Sequence, residues 1–99
     1  MLTPREAEQR LRDYFREDPP PLRGTLYFPG GWAEDDEDYL LEWGAREFIV
    51  DGRESFGRWD NLVYFVNKHT GEVSKGHFNA NFGKIDKMVE HFSPEERYR

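Results

Sequence analysis

The chain of 99 residues contains no cysteine, which excludes disulfides, thiolate metal sites and a cysteine nucleophile and suits a reducing compartment. No apolar run approaches the roughly 18 to 20 residues that span a bilayer, and Met1-Leu2-Thr3-Pro4-Arg5-Glu6 has no signal-peptide core. A cytoplasmic protein with no membrane partner is therefore expected. Apolar residues make up only 36%, below the usual share for a globular domain, and positive charge is in deficit. Against 20 Asp and Glu stand 14 Lys and Arg, for a formal charge of −6 and a pI near 5.0. That balance opposes phosphate backbones, so nucleic acid is not an expected partner, whereas a basic protein is.

Catalytic signals are equally sparse. The serines are Ser55, Ser74 and Ser93, none within a Gly-x-Ser-x-Gly elbow. His69, His77 and His91 never fall four apart, the spacing that puts two metal ligands on one helical face. No phosphate-cradling loop of the Walker or dinucleotide type is present, and paired carboxylates carry no signal in so acidic a chain. No catalytic residue, cofactor or metal is assigned.

What the chain does have is aromatic residues, 16% of the total, and large rings bury much area each. With clear apolar periodicity they argue for a folded core despite a mean hydropathy of −0.96. The length fits one domain over residues 1–99. The organising stretch is residues 61–73, in which Leu62-Val63-Tyr64-Phe65-Val66 meets a turn from Asn67 to Gly71 and restarts at Val73. It reads as a β-hairpin closed by a left-handed glycine.

Upstream, Thr3, Pro4 and Glu6 spell a capping box with proline at the first helical position, and Ala7, Leu11, Tyr14 and Phe15 form one apolar stripe. Asp18-Pro19-Pro20-Pro21 ends that helix. Strands are predicted at Thr25 to Phe28, at Tyr39 to Trp43 with Tyr39, Leu41 and Trp43 on one face, and at Glu47 to Val50. Phe82, Ile85, Met88, Val89 and Phe92 predict a second helix from Phe82 to about His91 or Phe92. Ser93 could cap one final docked turn. The expected fold is α+β, an antiparallel sheet of three to five strands with the amino-terminal and carboxy-terminal helices packed on one face.

Two features bear on binding. Glu34, Asp35, Asp36, Glu37 and Asp38 are consecutive carboxylates whose repulsion predicts an exposed loop, and they read as a solvated loop, an electrostatic docking surface or, least well matched, a hard-cation site. Trp32, Phe56 and Trp59 fall in or beside predicted loops, as satellite core packing or as interface anchors. In the binding reading the five carboxylates steer a basic partner while Trp32 and Trp59 anchor it. Two further readings stay open: a small enzyme or ligand-binding domain with an aromatic pocket of Trp43, Trp59 and Tyr64, and an acidic nucleic-acid mimic.

The order of an amphipathic helix, a strand ending near a tryptophan, the strand Tyr39 to Trp43, the segment Phe48-Ile49-Val50-Asp51 and the hairpin Val66-Asn67-Lys68-His69-Thr70-Gly71-Glu72-Val73 resembles the small YrhB-type immunity domain. The likeness covers roughly residues 3 to 75 and leaves out the acidic run and the helix from Phe82. It implies a bacterial protein that neutralises a toxin by binding it, with no catalytic residue in the motif. The family fixes no binding residues, so no site is carried over.

Overall fold

The computed structural model describes residues 1–58 and 60–92, so the expectations for Trp59 and for a docked turn at Ser93 lie outside the described residues. Helix α1 (Pro4–Glu17) starts as its capping box dictates. The Glu6 N–H donates to Thr3 Oγ1 at 3.2 Å and the Thr3 N–H to Glu6 Oε1 at 2.8 Å. Ala7, Leu11 and Phe15 are buried, and on the wet side Arg12 pairs with Glu8 at 3.0 Å.

Strand β1 (Leu26–Tyr27) is followed by β2 (Trp32–Glu34), β3 (Asp38–Leu41), β4 (Gly44–Ala45) and the single-turn helix α2 (Arg46–Ile49). A 3₁₀ turn at Glu54–Phe56 leads to β5 (Leu62–Asn67), β6 (Val73–His77), helix α3 (Phe82–Asp86) and β7 (Val89–His91). The described strands form a five-stranded antiparallel sheet in the order β6-β5-β3-β2-β7, beside a small β1-β4 sheet. The α+β architecture is thus as expected.

The expected β5-β6 hairpin forms, with Val66 opposite Val73 and Leu62 opposite His77. Asn67 Oδ1 accepts from the N–H groups of His69 and Thr70 at 2.9 and 3.0 Å, and Gly71 takes φ +76° to turn the chain back. The alternation of β5 sends Tyr64 and Val66 to one face, where they join Tyr39, Leu41 and Trp43 under Ala7, Leu11 and Phe15 of α1. Phe65 points to the other face, and there Lys84 of α3 lies 5.4 Å from its ring centre. The two helices therefore sit across the sheet from each other rather than together on one face.

Three local expectations are corrected. The segment Glu47 to Val50 is not a strand: α2 occupies it because the Glu47 carboxylate accepts from the N–H and hydroxyl of Thr25, both at 2.9 Å, which pins a helical turn against β1. The helix from Phe82 stops at Asp86, and the chain then pairs as β7 with β2, Trp32 opposite His91 and Glu34 opposite Val89. A short apolar run reads equally as helix or strand, and the open edge of β2 decides between them. The exposed loop expected over Glu34 to Asp38 shrinks to residues 35–37, the turn of the β2-β3 hairpin, because Glu34 and Asp38 belong to the paired strands.

Candidate functional site

The acidic run folds because cations from distant parts of the chain meet it. Within the turn, Asp35 Oδ1 accepts from the N–H groups of Glu37 and Asp38 at 2.9 and 2.8 Å, a side-chain mimic of a backbone turn. On the outer face of the sheet, Lys84 Nζ lies 2.6 Å from Asp35, 3.0 Å from Asp38 and 4.0 Å from Glu37. On the α1 face, the buried Lys68 reaches Glu34, whose other carboxylate oxygen meets His91 Nε2 at 2.7 Å and accepts from the Trp32 indole at 3.2 Å. The Lys68 ammonium also lies 5.0 Å from the centre of the Tyr39 ring.

These partners set the ionisation of the hairpin. The Lys68 hydrogen bond, reinforced by Trp32 and His91, holds the Glu34 carboxyl below its ordinary value of 4.5, and Glu34 raises Lys68 in return. Burial pushes Asp35 up, but Lys84 and the two turn amides outweigh it, so its carboxyl titrates below 3.8. Burial pulls Lys84 down, and Asp35 with Asp38 more than restores it.

A depressed carboxyl contributes stability that is complete above its unfolded-state pKa and is lost as pH falls through its folded-state value. The hairpin should therefore weaken as pH drops below the 4.5 and 3.8 of free Glu and Asp. In urea titrations across that range, Asp35→Asn should have a shallower stability loss than the parent chain. Equal slopes would show that the Asp35 pairing does not contribute.

Of the residues expected to steer a partner, Glu34, Asp35 and Asp38 are engaged inside the fold, and Asp36 and Glu37 are exposed. The run does not line one face, since Glu34 bonds on the α1 side and Asp35 and Asp38 on the α3 side. Trp32 is not in a loop but in β2, half-buried, with its ring stacked on His91 at 4.8 Å and 18° between planes. His69 and His77 are exposed, and among the described residues no group of three His, Asp or Glu side chains is placed to hold a metal ion.

Of the aromatic pocket expected from Trp43, Trp59 and Tyr64, Trp59 lies outside the described residues, and the Trp43 and Tyr64 rings pack on each other edge to face at 5.7 Å and both touch Phe15. Trp43 instead borders a cleft of about 620 Å³ with Phe48, Ile49, Phe56 and Arg58.

Sequence reasoning missed a groove of about 320 Å³ on the outer face of the main sheet. Ala33, Leu40 and Val63 line it together with Phe78, Glu90 and Phe92. Its signal lay in the period-two register of three separate strands, which is invisible until they are paired. Among the described residues no helix is long and apolar enough to cross a membrane. Comparison of the chain with protein-family models, with curated proteins and with solved structures found no match.

Proposed function

We propose that the chain is a non-enzymatic cytoplasmic binding protein of the immunity or inhibitor class, which neutralises a toxin or enzyme by covering its active surface. The observation that carries this reading is the exposure of Asp36 and Glu37 on a hairpin tip whose neighbouring carboxylates are tied down by Lys68 and Lys84. Exposed charges on a hairpin turn braced by Asp35, in a chain of net charge −6, can steer a basic partner. The likeness of the Val66 to Val73 hairpin and its upstream elements to the YrhB-type immunity domain supports the same class.

The test is affinity capture from the native host with neighbouring gene products included, followed by kinetics on the partner recovered. Asp36→Asn with Glu37→Gln should slow association roughly three- to tenfold at low ionic strength, flatten its salt dependence and leave dissociation little changed. Turnover of a substrate by the purified chain, with no stoichiometric protein captured, would replace this reading.

The cleft beside Trp43 favours one second reading, a small-ligand domain. Thermal-shift screening of nucleotides and small aromatic ligands separates the two, since a ligand at 100 times its Kd adds about 2.7 kcal/mol of stability.

A further inference from the structure

We infer that the outer groove of the main sheet is where the partner docks, and that it receives a segment with a large apolar side chain flanked by Lys or Arg; this rests on the binding reading above. Helix α1 seals one face of the sheet, whereas on the other α3 covers Phe65 through Lys84. The same face continues beyond Phe65 through Val63, Leu40 and Ala33, partly buried side chains at the base of the groove. Phe78 forms a wall at 39% exposure and meets Phe82, 54% exposed, edge to face at 5.8 Å. Two contacting phenylalanines that stay partly exposed among the described residues, beside a groove, point to an interaction surface.

Charge selects the occupant. Among the described residues Arg58 is the one Lys or Arg that lines the groove, and it is already committed. It gives two hydrogen bonds to Asp60 at 3.1 and 2.8 Å and a third to the Leu62 carbonyl, with its guanidinium 3.6 Å from the centre of the Trp43 ring. His91 at the margin is paired with Glu34. Glu90 is exposed on β7 and lines the groove, and Asp36 and Glu37 project from the tip of the adjacent hairpin. The charge of −6 lies on the described residues, because Ser93 to Arg99 contains two Glu and two Arg. An acidic segment, an anionic membrane or a nucleic acid would be repelled, and a second copy would set −6 against −6. A basic segment with an apolar anchor satisfies both the base of the groove and its surroundings.

The test is selection of a random-peptide display library on the immobilised full chain, followed by amide chemical-shift mapping of the peptides recovered. Enriched peptides should carry Lys or Arg around a Leu, Phe or Trp and shift Ala33, Leu40, Val63 and Glu90. Phe78→Ser should weaken them roughly tenfold or more. Glu90→Lys leaves the apolar lining intact, so it remains informative if Phe78→Ser fails to fold, and it should weaken the same peptides most at low salt. Neutral or acidic peptides, shifts elsewhere, no binder, or a concentration-dependent dimer abolished by Phe78→Ser would each overturn the inference. A captured protein partner whose affinity neither variant changes would overturn the groove and leave the binding reading standing. Peptides that bind the groove while the host yields no protein partner would do the reverse.

Discussion

Tyr64→Ala is expected to destabilise the chain by about 3 to 5 kcal/mol, the range for truncating a large buried ring. Tyr64 is 1% exposed, on the central hairpin strand β5, and its ring is enclosed by Phe15 at 4.9 Å, Trp43 at 5.7 Å and Tyr14 at 5.9 Å, all edge to face. Two of these partners come from α1 and the third follows β3, so the lost ring is a joint between three elements and the cavity cannot close by moving one of them. Urea denaturation with an unchanged m-value would report this loss directly. A difference below about 1 kcal/mol would mean that the hairpin is not the centre of the core.

Lys68→Met should cost about 2 to 3 kcal/mol, less than the roughly 3 to 5 kcal/mol typical when one member of a fully buried ion pair is removed. Lys68 is 8% exposed, and its ammonium is the main partner of Glu34. The discount reflects the Trp32 indole and His91, which stay on the Glu34 carboxylate when the lysine is gone. Adding Glu34→Gln to Lys68→Met should recover part of the loss, because the stranded charge disappears. A double-mutant cycle with coupling below about 0.5 kcal/mol would show that the two side chains act independently.

The sequence by itself determined the elements whose signals are local. The capping box and apolar stripe of α1, the proline stop after it and the Asn67 to Gly71 turn are each written within a few residues, and each forms where expected. Their physics is short-range hydrogen bonding and steric preference, so no distant residue can easily veto it. The tertiary structure decided what depends on partners remote in the chain. Glu47 lies in a β-like run and becomes helical because Thr25, 22 residues away, takes both its carboxylate oxygens. Residues 89–91 continue an apolar spacing that reads as helix, yet β2 offers an unpaired edge, and satisfying its backbone groups outweighs another turn of α3. The acidic run is the clearest case. Five adjacent carboxylates predict repulsion and a loop as long as only neighbours are counted, and Lys68 and Lys84, 34 and 49 residues from their carboxylate partners, turn that repulsion into a braced hairpin. Coulomb attraction acts through space and is indifferent to sequence separation, so the folded chain could leave Asp36 and Glu37 exposed and tie down the rest, a division that no local reading of the five carboxylates contains.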